Sequence, residues 1–386
     1  MFYRKSHYPS PTDLPLVKEL PNPFVFEDGR RVQTLADWEE RSRELQDLFH
    51  YYMYGYMPDT SGEQVTYEKT ELGLRVHVTR GEVQGSFAAR ISFPPVDCAI
   101  TGPYPVIFTI GSLEGWQQDG QDATNHVEQA NKRGYAVVTL LPQEIASDNA
   151  ERTGAFFTLY PYSPAPDKND AGIFIALGWA AGKVLDAFDQ QLYSEIDAAR
   201  AVVTGFSRWG KASLVVGMTD KRFALVNPHA SGAGGMASFR YSFEGKAYPW
   251  GVAGRSEPLE ALQSEGEAHW FNSVFRQFSD PAALPFDQHE LAALIAPRAL
   301  LLTCGYSDDW INPEGMYVSY AEAAKVYRFL DAEDQIGIAY RQGGHNRTQE
   351  DIDHLLDFCD WRLRGIPPVN KDFKSCLYEP REQRGE

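Results

Sequence analysis

The sequence predicts an α/β protein organised on a mainly parallel sheet. Three observations point there. Short apolar runs bounded by Gly or Pro recur at 105–110 (PVIFTI), 136–141 (AVVTLL), 199–205 (ARAVVTG), 223–228 (FALVNP), 299–304 (ALLLTC) and 335–340 (QIGIAY). Such runs are continuously apolar rather than alternating, as strands covered on both faces must be. Helical stretches lie between them, and strand alternating with helix is the pattern of a parallel sheet wrapped by helices.

Taken in order, the elements begin with a helix in TLADWEERSRELQDLFHYYMYGYMP. Thr34 caps it with Asp37 three residues on, Trp38, Leu45, Leu48, Phe49 and Tyr52 recur at helical spacing, and Gly55 and Pro58 end it. From Val65 to Phe93 the period changes to two: Leu72, Leu74, Val76 and Val78 share one face, and Phe87, Ala89, Ile91 and Phe93 continue after a turn in GEVQGS. These read as antiparallel strands. The six apolar runs follow, with helices in AGIFIALGWAAGKVLDAF before the third and GMYVSYAEAAKVYRFL after the fifth. A last helix, QEDIDHLLDFCDWRLRG, puts Ile352, Leu355, Leu356, Cys359 and Leu363 on one face and stops at Gly365. No repeat or low-complexity linker divides the chain, so residues 1–386 are expected to form one domain, with the N-terminal helix and antiparallel strands within about the first 100 residues.

Charge narrows the partners. With 53 acidic against 36 basic residues the formal charge is −17, a field that repels phosphate backbones and anionic membranes. Nucleic acid and membrane are excluded as expected partners. Cys98, Cys304, Cys359 and Cys376 lack paired spacing, and His7, His50, His77, His126 and His354 lack ligand spacing, so neither metal nor cofactor is expected. The start carries no apolar leader, which places the chain as written in the cytoplasm, and a monomer is expected.

One strand end carries chemistry. ARAVVTG runs into Phe206-Ser207, and KASLVVGM continues as a helix: the strand–turn–helix context of a nucleophile elbow. The G-x-S-x-G pattern is imperfect, because Trp209 holds the last Gly position and Gly210 follows it. A serine capping a helix is the alternative reading. Chain order favours the nucleophile. GYSDDW stands directly after ALLLTC and RQGGHN directly after QIGIAY, so Ser, acid and His fall at the carboxyl ends of three strands in the order of the α/β-hydrolase fold, a three-layer αβα sandwich. Ser207 would attack an acyl carbon, His345 would shuttle its proton, and Asp308 or Asp309 would orient the imidazole. The backbone N–H of Arg208 is the expected oxyanion donor. His289 reads as a structural hydrogen-bonding residue, and for His269, next to Trp270, lining the cleft is the lesser of the two readings.

These residues resemble carbohydrate esterase family 15, the glucuronoyl esterases, whose nucleophile segment has the form G-C-S-R-x-G-K. Here GFSRWGK departs only at Phe206, and HASGAGG (229–235), HWF (269–271), LPFDQHELAALIAPRALL (284–301), DDWINPEG (308–315) and GGHN (343–346) extend the match over nearly the whole chain. The resemblance implies an α/β-hydrolase that cleaves esters between 4-O-methyl-glucuronate branches of glucuronoxylan and lignin alcohols, in a family commonly secreted. Ser207 would be the nucleophile, His345 the base, and Arg208 an oxyanion stabiliser through its side chain also. Lys211 would bind the sugar hydroxyls and Trp310 lie beside the sugar ring, with Glu257 or Glu267 as a further polar contact. Fungal members carry their acid in P-Q-E-S-G, but PHASG places Ala230 there; Asp308 matches the bacterial D-x-W position instead. Two other functions remain as expectations to test: a sugar deacetylase, and an inactive carbohydrate-binding homologue.

Overall fold

The structure, a computed structural model, describes residues 8–111, 125–164, 170–249, 251–369 and 371–378. His7 lies outside them. Three strands, β1 (Glu63–Thr70), β2 (Gly73–Arg80) and β3 (Val83–Ser92), form an antiparallel meander. It joins β4 (Tyr104–Ile110), β5 (Ala136–Leu140), β6 (Ile196–Phe206), β7 (Phe223–His229), β8 (Ala299–Gly305) and β9 (Ile336–Arg341) in one nine-stranded sheet of order β1-β2-β3-β5-β4-β6-β7-β8-β9. β3 meets β5 antiparallel, and every pairing from β5 to β9 is parallel.

Two expectations about the meander change. Leu72 is not on the buried face with Leu74, Val76 and Val78 but in the turn between β1 and β2, 61% exposed, because the hairpin closes on two residues and strand pairing starts at Gly73. GEVQGS is a turn only at Gly81 and Glu82: Val83 already pairs with Arg80, and the rest of the segment is strand.

Alternation along the parallel strands makes three layers. Val106, Phe108, Val203, Leu300 and Leu302 face one core shared with α1 (Leu35–Phe49), α3 (Ile173–Asp189), α4 (Arg208–Thr219) and α5 (Pro313–Phe329). Ile107, Val137, Val202, Leu225 and Leu301 face a smaller core with α2 (Asn125–Lys132) and α6 (Gln349–Arg364). This is the α/β-hydrolase arrangement. The helix ends follow local chemistry: Thr34 with Asp37 forms a capping box on α1, and Thr348 with Asp351 forms another on α6. Loss of such a cap costs about 1 kcal/mol. After α1 one wider turn, His50–Tyr54, closes with Gly55 N–H on the His50 carbonyl, and Gly365 ends α6 in the left-handed region as its position predicts.

Candidate active site

Ser207 sits at the junction of β6 and α4 with φ 59° and ψ −123°, a conformation that a side-chain-bearing residue adopts only under constraint. Its N–H donates to the His229 carbonyl (3.0 Å), and its own carbonyl accepts from Gly210 and Lys211. Two glycines allow the turn to close. A Cβ on Gly205 would lie 2.2 Å from the Trp209 carbonyl oxygen, and one on Gly210 would lie 2.5 Å from the His229 carbonyl oxygen. The second small position of this elbow is therefore residue 210, which leaves residue 209 free to be Trp. Ser207 makes no side-chain cap to α4, so the capping alternative does not hold.

Three strand ends converge at the hydroxyl. His345 Nε2 is 3.0 Å from Ser207 Oγ, and His345 Nδ1 is 2.7 Å from Asp308 Oδ2. Because a carboxylate only accepts, Nδ1 carries the proton and Nε2 presents its lone pair to the serine O–H. Asp308 is buried, whereas His345 keeps 40% of its side chain exposed, open to an incoming substrate. Asp309 turns elsewhere, accepting a hydrogen bond from the Gly254 N–H (2.7 Å). Phe206 lies over the imidazole with ring centroids 4.7 Å apart.

Cations and carboxylates line the rest. Arg208 heads α4, where the first N–H groups have no intrahelical acceptor. Its guanidinium donates to Asp148 (2.9 Å) and lies 5.2 Å from the Trp270 ring centroid. Lys211, one turn on, is buried and donates to the Ala233 carbonyl and to Glu257, both at 2.6 Å. Glu257 also accepts from the Ala233 N–H, so it is a fixed partner of Lys211. Glu267 is different: burial first, and then the charge of Glu257, push its carboxyl above the usual range, and its Oε2 is buried without a hydrogen-bond donor among the described residues. Trp310 is 46% exposed at the rim, while Trp270 is buried, so only the first presents a free ring face.

Asp148 was not singled out by the sequence reading. One carboxylate holds three site residues, accepting from Arg208, from His269 Nε2 (2.8 Å) and from Trp270 Nε1 (2.7 Å). Nothing in EIASDNA marks it. His269 is thus a buried hydrogen-bonding residue one contact from Arg208, and His289 binds the Pro21 carbonyl far from the site. Among the described residues no cluster of three or more His, Cys, Asp or Glu could hold a metal, and no helix is long and apolar enough to cross a membrane.

The chain is similar to known proteins along most of its length. The family described as glucuronyl esterase of fungi matches residues 76–331. A multidomain esterase of Ruminococcus flavefaciens is 33% identical over 95% of this chain and 49% of its own length, so the chain spans about half of that relative. The 4-O-methyl-glucuronoyl methylesterase of Podospora anserina is 31% identical over 88% of this chain and 65% of its own. Among solved structures, a carbohydrate esterase family 15 glucuronoyl esterase from Caldicellulosiruptor kristjansonii is 52% identical with a TM-score of 0.89, covering 95% of this chain and 96% of that one.

Proposed function

The chain belongs to the glucuronoyl esterases of carbohydrate esterase family 15, and from that premise we propose that it hydrolyses esters whose acyl group is glucuronate or 4-O-methyl-glucuronate, including those joining glucuronoxylan to lignin alcohols. The observation that carries the reading is Ser207, held at positive φ with its Oγ 3.0 Å from an imidazole whose other nitrogen is tied to a buried carboxylate.

In this reading the Ser207 oxygen attacks the ester carbonyl carbon as His345 Nε2 takes its proton. The tetrahedral oxyanion is met by the Arg208 backbone N–H and guanidinium, the kind of contact that is worth about 2.7–4 kcal/mol per donor. The C–O bond to the alcohol breaks, and the imidazolium returns the proton to the leaving oxygen. Water, deprotonated by the same His345, then releases the glucuronate and restores the serine. Asp308 keeps the imidazole in the required tautomer and stabilises its charged form. Lys211, Glu257 and Glu267 face the sugar hydroxyls as donors and acceptors, and Trp310 lies along the ring. We read residues 1–386 as one catalytic domain, a reading supported by the single large sheet that carries all three strand ends.

The test is hydrolysis of benzyl glucuronate by the wild type and Ser207→Ala, with an acetylated sugar in parallel. Turnover of the glucuronate ester that falls by up to about 10⁶ in the variant is the expected result. Acetate release without glucuronate turnover would move the assignment to a deacetylase, and silence on both would leave a binding protein.

A further inference from the structure

Beneath the three strand ends lies a closed circuit of hydrogen bonds that the proposed chemistry does not use. Its directions are fixed except at the Thr204 hydroxyl, which reaches both the side-chain and the main-chain oxygen of Asn227. Arg347 Nη2 donates to Thr204 Oγ1 (2.9 Å) on β6, and that hydroxyl faces Asn227 Oδ1 (2.8 Å) on β7. Asn227 Nδ2 donates to the Leu301 carbonyl (2.8 Å), which sets the amide's orientation, and also to Thr303 Oγ1 (3.0 Å) on β8. The Thr303 hydroxyl lies 2.8 Å from His229 Nδ1, and His229 Nε2 lies 3.1 Å from the Asn346 carbonyl. A carbonyl only accepts, so Nε2 carries the imidazole proton and Nδ1 accepts from Thr303. The circuit begins and ends on Arg347 and Asn346, the two residues that follow His345.

Thr204, Asn227, His229 and Thr303 are all buried, where a polar group left without a partner costs about 1–3 kcal/mol. Some members have further partners, Thr204 the Asn227 main-chain carbonyl (3.0 Å) and the Asn346 carbonyl Arg341 Nη2 (2.7 Å), whereas His229 Nδ1 accepts from Thr303. His229 also reaches the nucleophile, since its backbone carbonyl receives the Ser207 N–H. One residue therefore touches the serine turn, the strand leading to Asp308 and the loop bearing His345.

We propose that His229, acting through Thr303 and the Asn346 carbonyl, is a positioning residue that sets the distance between His345 and Ser207. This rests on the esterase reading above. The charged groups facing it are Asp351, 3.9 Å from Nε2, with Arg341 and Arg347 beyond. Burial, only partly offset by Asp351, lowers the imidazole to about 4, so the neutral form that the circuit requires is the form present through the ordinary working range.

Thr303→Val removes the hydroxyl at nearly constant shape, His229→Ala removes the ring, and His229→Gln supplies an amide able to accept from Thr303 and donate to Asn346. Two readouts are taken for each: kcat and KM on benzyl glucuronate, and the rate at which a fluorophosphonate labels Ser207, which reports serine activation whatever the natural ester. Thr303→Val and His229→Ala are expected to lower kcat and labelling together by about 10²-fold, the scale of a misplacement near 1 Å, with KM little changed, and His229→Gln to recover most of both. Wild-type kcat and labelling in folded Thr303→Val would overturn the proposal, as would a His229→Gln variant that folds yet is as impaired as His229→Ala. A wild type that is labelled but hydrolyses no glucuronate ester would instead refute the substrate reading, with the labelling rates still deciding the role of His229.

Discussion

Asp308 and Asp309 are consecutive in sequence and turn their carboxylates to different work: Asp308 meets His345 Nδ1 at 2.7 Å, and Asp309 receives the Gly254 N–H at 2.7 Å. The division follows from the backbone, where Asp309 opens a short helical turn, Asp309–Ile311, while Asp308 stays buried under the histidine. Asp308→Asn should cost about 10⁴ in kcat, because an amide in that place favours the wrong imidazole tautomer. Asp309→Asn should leave kcat close to wild type. Steady-state rates on one glucuronate ester separate the two, and similar losses in both would mean that the pair acts as a unit.

A second expectation concerns Asp148. With its carboxylate replaced by the amide in Asp148→Asn, Arg208 loses its anchor and kcat should fall by up to about 10³, the upper end of the range for one lost transition-state donor. Burial alone would push this carboxyl up, but the hydrogen bonds from His269, Trp270 and Arg208 outweigh burial and hold it below the usual carboxylate range. A depressed carboxylate contributes stability above its unfolded pKa and loses it as the pH falls through the lowered value. Between pH 5 and 8 the wild-type profile should carry no titration from Asp148, and a wild-type kcat in the variant would remove Arg208's anchor from the mechanism.

Glu267 shows the opposite sign. Its carboxyl is raised by burial and by Glu257, so the unfolded chain ionises it first and stability declines as the pH rises from the ordinary value through the raised one. Glu267→Gln should therefore increase the Tm at neutral pH while raising KM for glucuronate esters. Thermal melts at pH 4 and pH 7 test the first half: the gain should appear at pH 7 and shrink at pH 4.

Lys211 and Glu257 form a buried ion pair, and deleting one partner of such a pair costs about 3–5 kcal/mol because the other is left charged and alone. Lys211→Met should lower the Tm by several degrees, and Lys211→Met with Glu257→Gln should recover part of that loss. Activity discriminates function from stability. Against folded enzyme, the single variant should lose far more on a glucuronate ester than on an acetyl ester, and equal losses on both would deny Lys211 a part in sugar recognition.

The parallel sheet was legible because burial on both faces leaves continuous apolar runs, and all six became strands within one to three residues. Leu72 was misjudged because alternation continues through a two-residue turn without marking where pairing stops. Ser207, the acidic pair and His345 were readable as strand-end residues, since chain order carries geometric information in this architecture. Asp148 and His229 were not. Their side-chain hydrogen-bond partners lie 60 or more residues away, Arg208, Trp270 and Asn346 among them, and no local pattern encodes such a meeting. The choice between Asp308 and Asp309 depended on family resemblance in the sequence, and only the backbone at the turn shows two different partners.

The sheet order also bears on when the molecule becomes competent. Ser207 and His345 are 138 residues apart, and β9, which delivers the histidine, is the outermost strand of the parallel half. Contacts of such long range are slow to form, because the loop entropy must be lost before the pairing compensates it. Ser207 and Asp308 belong to earlier segments, while His345 arrives with the last strand. In the proposed mechanism serine activation therefore waits for that strand, and the appearance of serine labelling during refolding should coincide with closure of that final edge.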